Sequence, residues 1–158
     1  MSAMMKIETI LVPTDFSECA GHALGPAAEL ARIWKARIIC LHVVEPVVAP
    51  TVSYVPMVEP FPAVDTTEQL ETVALRELPK LAECQELAGL EVEEVMVHGE
   101  ASSEIVNTAR QRAVDLIVIS SHGRTGLGRI LFGSTAEAVV RHAPCPVLVV
   151  KPPQYEEK

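Results

Sequence analysis

Apolar residues fall along this chain in two alternating textures. Short continuous runs come first, at Thr9-Ile10-Leu11-Val12-Pro13, at Arg37–Val43, at Leu116–Ser120 and at Val147–Val150. Runs of that kind predict strands, the first of them buried on both faces. A fifth segment, Leu90–His98, alternates instead, with Val92, Val95 and Val97 set among glutamates, and predicts a strand near a sheet edge. Between these runs apolar positions recur every three or four residues, the spacing of amphipathic helices. One helix is expected from Ser17, its N-cap candidate, to about Trp34 through Ala20, Ala23, Leu24, Ala27, Leu30 and Ile33, with a kink at Gly25-Pro26. A long helix opens at the Thr66-x-x-Gln69 cap and carries Leu70, Val73, Ala74, Leu78, Leu81 and Ala88 inward, and Pro79 is expected to bend or divide it. Two shorter helices are expected over Ala101–Arg112 and Ser134–His142. No internal repeat is evident.

Strands alternating with helices imply an open parallel sheet with helices on both faces and right-handed crossovers. If the chain winds outward through three strands and then returns, the fourth strand lies beside the first and the order is 3-2-1-4-5. The winding reverses between strands 1 and 4, and ligands of such sheets bind there, beyond the carboxyl ends of the strands. Pro13-Thr14-Asp15 borders that crevice on one side. Asp15 can accept from a ribose or base, or it can serve simply as an acid at a helix start. Val43, ending the second strand, offers an apolar wall or plain core packing.

The other border is I-S-S-H-G-R-T-G-L-G-R-I-L-F-G-S-T, from Ile119 to Thr135. Gly123, Gly126, Gly128 and Gly133 give it four glycines in eleven residues, and Arg124 and Arg129 make it locally basic. A strand, a glycine-rich loop and a helix start point backbone N–H groups at an anion, so the loop is a candidate phosphate cradle. A Walker A loop is excluded, because Ser134 stands where its lysine would be. The structural alternative is a capping box, with Ser134 and Glu137 satisfying the helix's own amides. His122 can face Asp15 as an acid/base pair or cap the strand end, and no nucleophile–histidine–carboxylate set promotes the former. His22, His42, His98 and His142 are too scattered for a metal site.

Composition narrows the classes further. A length of 158 residues suits a single domain over 1–158. At 49% hydrophobic and 4% aromatic, its core must be Val, Ile, Leu and Ala. The formal net charge of −8 disfavours nucleic acid as a partner. No apolar run approaches the ~18 residues of a membrane helix, and no signal peptide precedes the first strand. Cys19, Cys40, Cys84 and Cys145 show no paired spacing, which suits buried thiols in a reducing cytoplasm. Residues 45–64 hold Pro46, Pro50, Pro56, Pro60 and Pro62 with Tyr54, Val55, Met57, Val58 and Phe61. Loops of that length are usually functional or mobile, so this one is a candidate lid or protein-contact surface. Val147–Val150 is an apolar edge strand of the kind a twofold partner covers.

The strand opening I-L-V-P-T-D-F-S, the loop S-H-G-R-T-G-L-G-R-I-L-F-G-S-T and the ending H-A-P-C-P-V-L-V-V resemble the universal stress protein family over essentially the whole chain. The resemblance implies the five-stranded sheet derived above, in the adenine nucleotide alpha hydrolase-like, Rossmann-like group. Nucleotide-binding members carry G-x-x-G, nine residues, then G-[S/T]. Gly123 and Gly133-Ser134 match that signature, whereas Ser120 stands in place of its first glycine and brings a Cβ to that point. By this resemblance Pro13, Asp15 and Val43 would meet adenosine, and Gly123, Arg124, Gly133, Ser134 and Thr135 the phosphates of ATP, with any Mg or Mn held mainly by those phosphates. Thr14, Ser120, His122 and Gly126, which border the same crevice, complete the candidate set. The resemblance also implies a homodimer paired through Val147–Val150. A cytoplasmic ATP-binding stress or signalling module is therefore expected. A slow ATPase with no assigned catalytic residue and a nucleotide-free dimeric adaptor are the alternatives.

Overall fold

The computed structural model describes residues 6–47, 66–122 and 133–152. In chain order these form β1 (Thr9–Pro13), α1 (Glu18–Gly21), α2 (Leu24–Trp34), β2 (Arg37–Val44), α3 (Thr67–Ala82), β3 (Val92–His98), α4 (Ala101–Gln111), β4 (Leu116–Ser120), α5 (Ser134–His142) and β5 (Val147–Val150). The five strands make one sheet in the order β3-β2-β1-β4-β5, and every neighbouring pair is parallel. The expected winding is the observed one, with β3 at the edge where its alternation placed it.

Each strand sends alternate side chains to opposite faces, and two cores result. Ile10, Val12, Ile38, Cys40 and Val118 pack under α2 and α3 with Ala27, Ala31 and Leu78. Leu11, Ile39, Leu41, Ile117 and Ile119 pack under α4 and α5 with Ile105, Ala109, Ala136 and Val139. All five residues of β1 and all five of β4 are buried. At their amino ends these strands are tied together: Asp115 Oδ2 accepts from the Glu8 and Thr9 amides, both at 2.9 Å.

Prolines account for two departures from expectation. The helix foreseen as continuous from Ser17 to Trp34 is two helices, interrupted at His22 and Ala23. In an unbroken helix the ring of Pro26 would meet the His22 carbonyl, four residues earlier, and would offer it no N–H. The break moves Pro26 into the first turn of α2, where no amide is required. Ser17 does cap α1, accepting from the Ala20 amide at 3.1 Å. Pro79, by contrast, neither divides α3 nor ends it at once, since the helix passes through to Ala82. A 3-10 turn, Gln85–Leu87, then resets the phase, so Leu87 is buried and Ala88, expected on the inner side, is exposed. The capping box at Thr66 and Gln69 is complete. Of the four cysteines, all free, only Cys40 is buried rather than all of them, and its burial pushes the thiol up to about 12. Among the described residues no helix is long and apolar enough to cross a membrane. Most of the 45–64 loop, including Tyr54, Met57 and Phe61, lies outside the described residues.

Helix α4 is capped by a carboxylate. Glu100 accepts from the amides of Ser102 at 3.1 Å and Ser103 at 2.7 Å. Hydrogen bonds from Ser103 and then Ser102 hold its carboxyl down at about 2, against an ordinary 4.5. A depressed folded value means the stabilisation is complete above the ordinary value and disappears as pH falls through the folded one. Glu100→Gln is therefore expected to lower stability at neutral pH, and the gap from wild type should close between pH 4.5 and about 2. Urea unfolding across that range reads the difference.

Candidate functional site

The hydrogen-bond ladders show where the sheet parts. β1 stays in register with β2 along its whole length, from Thr9↔Arg37 to Pro13↔Leu41. Its register with β4 covers only Ile10↔Leu116 and Leu11↔Ile117. Beyond that point β4 runs with β5 instead, as far as Ser120↔Val150. The two central strands are thus joined at their amino halves and unladdered at their carboxyl ends, which leaves a notch at the reversal of winding.

The β1 side of the notch is a turn held at several backbone groups. The Thr14 amide donates to the Leu41 carbonyl at 2.8 Å. The Thr14 carbonyl meets His42 Nδ1 at 2.8 Å. Thr14 Oγ1 accepts from the Phe16 amide at 3.0 Å, and Asp15 Oδ1 accepts from the Ser17 amide at 2.9 Å. Asp15 therefore does shape the helix start, as one reading of it held. Phe16 takes φ 62°, a left-handed conformation that costs a residue with a Cβ roughly 1–2 kcal/mol. Its ring stacks on His42, centroids 4.4 Å apart at 27°, an arrangement worth about 0.5–1.5 kcal/mol. Sequence reasoning passed over both residues. His42 counted only as one of several scattered histidines, and nothing in a phenylalanine announces a positive φ. Pro13 is buried at the strand end and Thr14 half-buried above it. Val43, one strand over, is half-buried and packs against the core under α4 and α5.

The β4 side is built differently. Ser120 lies two residues beyond Val118 in the same strand and so shares the face covered by α1 and α2. It is 6% exposed, and its Oγ is buried with no hydrogen-bond partner among the described residues. Its Cβ thus points sideways, into packing, rather than outward past the strand end. Ser121 is buried, its amide donates to the Val150 carbonyl at 2.9 Å, and its Oγ lies 2.9 Å from His122 Nδ1. The Gly133 amide donates to the Ser121 carbonyl at 2.6 Å. A Cβ on Gly133 would lie 3.3 Å from that same oxygen, so glycine permits this close return.

The expected capping box at Ser134 and Glu137 does not form. Gly133 takes the N-cap conformation (φ −69°, ψ 156°), so α5 opens at Ser134, as its expected bounds had it, and among the described residues it has no side-chain cap. Ser134 becomes its exposed first residue, and Glu137 turns to Arg141 at 3.0 Å. The Gly133 amide is engaged, so an anion here would face the Ser134 and Thr135 amides that follow. Gly123, Arg124, Gly126, Gly128 and Arg129 lie outside the described residues.

Elsewhere, a shallow cavity of about 350 Å³ opens at the opposite end of the sheet, beside Arg32, Lys35, Arg37 and Glu91. Arg32 there donates to the Glu86 carbonyl at 2.7 Å, and Arg37 pairs with Glu93 and Thr9. These arginines hold the fold together, and the notch remains the better candidate. Among the described residues no group of three or more His, Cys, Asp or Glu is placed to hold a metal.

The sequence model of the universal stress protein family matches residues 6–151, and the chain belongs to that family. Universal stress protein MJ0531 of Methanocaldococcus jannaschii is 36% identical over 93% of this chain and 84% of its own length. Universal stress protein MJ0577 of the same organism is 33% identical over 96% of this chain and 98% of its own length. The solved structure of MJ0577 superposes with a TM-score of 0.73, covering 94% of this chain and 98% of that one. A universal stress protein of Archaeoglobus fulgidus, solved in complex with dAMP, shares the fold at a TM-score of 0.65 and 24% identity over 94% of this chain and all of its own. A further universal stress protein structure, in complex with cAMP, shares it at 0.68 and 23% identity over 92% of this chain and 97% of its own.

A buried hydroxyl without a partner destabilises by roughly 1–3 kcal/mol. Ser120→Ala is therefore expected to raise the unfolding free energy by about 1 kcal/mol, read as a shift of the urea midpoint at unchanged slope.

Proposed function

We propose that this universal stress protein binds ATP in the notch between β1 and β4 and acts as a dimeric stress-response or signalling module. The observation that carries the reading is the early end of the β1–β4 ladder, flanked by the Thr14–Asp15 turn and by a helix start with no side-chain cap. An anion placed there gains both the leading amides and the positive end of the helix dipole. Pro13, Thr14, Asp15 and Val43 are assigned to the adenosine, and Gly133, Ser134 and Thr135, with Gly123, Arg124 and Gly126, to the phosphates. Ser120 and His122 border the phosphate side. The sideways Cβ of Ser120 supports its tolerance at a position the family signature gives to glycine. Adenine nucleotides held by two proteins of the same fold support the ligand class. Any Mg or Mn would be carried mainly by the phosphates.

Dimerisation is assigned to the free edge of β5, Val147–Val150. Leu148 is 39% exposed there, and Val140 on the adjacent α5 is 51% exposed. An unprotected apolar edge pairs readily with a second copy about a twofold axis. A cytoplasmic setting and a protein partner for the 45–64 loop complete the reading.

Calorimetry with ATP and AMP tests it. Wild type is expected to bind, and Ser134→Asp to weaken ATP at least about tenfold through repulsion. Ser134→Asp should leave the melting temperature unchanged or higher, because an acid suits a helix N-terminus. No heat with the wild-type protein would favour the nucleotide-free adaptor. ADP release abolished by Ser134→Asp would establish slow turnover at this site. In sedimentation, wild type is expected to be dimeric, and Leu148→Lys to weaken the dimer by roughly tenfold, equivalent to about 1.4 kcal/mol.

A further inference from the structure

We infer that His42 and Phe16 are positioning residues for the nucleoside half of the notch, setting the direction of the Thr14–Asp15 peptide and so what Asp15 presents to a bound adenosine. The inference rests on the nucleotide reading above. It is carried by three contacts that converge on one turn. A carbonyl oxygen only accepts, so the 2.8 Å contact with Thr14 places the proton on Nδ1 of His42. The amide of the same residue is held by Leu41 at 2.8 Å. β2 therefore grips Thr14 from both sides, once through its backbone and once through an imidazole that is only 8% exposed.

Phe16 supplies the other constraint. A bulky residue at φ 62° is an outlier, and such conformations persist only where the surroundings impose them. Here the ring lies against His42 at 4.4 Å, and the residue packs on the core beneath α2. Asp15 sits between a clamped carbonyl and a left-handed neighbour, with Oδ1 on the Ser17 amide at 2.9 Å. Its orientation is thus set by the imidazole and the ring together with its own bond to the Ser17 amide. A connection needed only to turn a strand into a helix would be met by glycine at position 16. An aromatic residue braced on a buried histidine gives the turn a single shape before any ligand arrives, which lowers the ordering cost of binding.

The test separates the two halves of the ligand. ATP and inorganic tripolyphosphate are titrated calorimetrically into wild type, His42→Leu, His42→Asn and Phe16→Gly. His42→Leu removes the donor and is expected to weaken ATP about tenfold, the scale of one hydrogen bond, while tripolyphosphate is unchanged. His42→Asn keeps an N–H near the place of ring Nδ1 and is expected to stay within about threefold of wild type. Phe16→Gly keeps the left-handed backbone accessible without the stack and should show the same ATP-selective loss. It and His42→Asn keep the comparison intact if His42→Leu does not fold. Long-range 1H–15N spectra of the wild type should show the His42 proton on Nδ1. ATP affinity unchanged in both His42→Leu and Phe16→Gly overturns the positioning role, as does an equal loss for ATP and tripolyphosphate, or a neutral His42 protonated on Nε2. Wild type that binds tripolyphosphate but not ATP, or neither, overturns the nucleotide reading itself and the positioning role with it.

Discussion

The two central strands of this sheet are covered on both faces, and the rest of the molecule follows from that. Every residue of β1 and β4 is buried, so none of their side chains meets solvent along the body of the sheet. Chemistry is thereby pushed to the strand ends. The two ends are not alike. At the amino end Asp115 bonds two consecutive amides, and Arg37, Glu93 and Arg112 link neighbouring elements. At the carboxyl end the central ladder stops, and turns from two distant parts of the chain face one another.

How those two turns are built shows a division of labour. The β1 turn is anchored at Thr14 by β2 and at the Phe16 and Ser17 amides by its own side chains. On the β4 side the backbone leads, Gly133 returning onto the Ser121 carbonyl at a spacing that would crowd a Cβ, with Ser121 Oγ meeting His122 Nδ1 beside it. One border is shaped by packing and aromatic contact and the other by main-chain geometry. A rigid, partly apolar wall suits a base, whereas exposed helix amides suit an anion.

Much of the architecture was legible from the chain. Continuous apolar runs gave four of the five strands almost to the residue, and in the three inner ones burial on both faces leaves no polar register to misread. The glutamates among Val92, Val95 and Val97 marked the edge. Winding rules then gave the strand order and the position of the notch. Errors came where one residue competes with a longer pattern. Pro26 moved a helix break upstream by way of a carbonyl four residues away, and Gly133 took the cap that Ser134 and Glu137 seemed made for. His42 and Phe16 were illegible for another reason: their meeting depends on a left-handed backbone at a residue type that rarely adopts one, and on a contact between segments far apart in sequence.

The placement of β1 in the middle of the sheet carries a cost during synthesis. As the chain leaves the ribosome, Thr9–Pro13 can pair with Arg37–Val44 early, but its second neighbour, Leu116–Ser120, emerges only after roughly seventy-five more residues, and at ordinary elongation speeds that takes on the order of 4–15 s. For that interval the nascent sheet has an open, wholly apolar flank, the kind of surface that recruits chaperones or other nascent chains. Messages truncated upstream of β4 would release sticky fragments rather than smaller folded proteins.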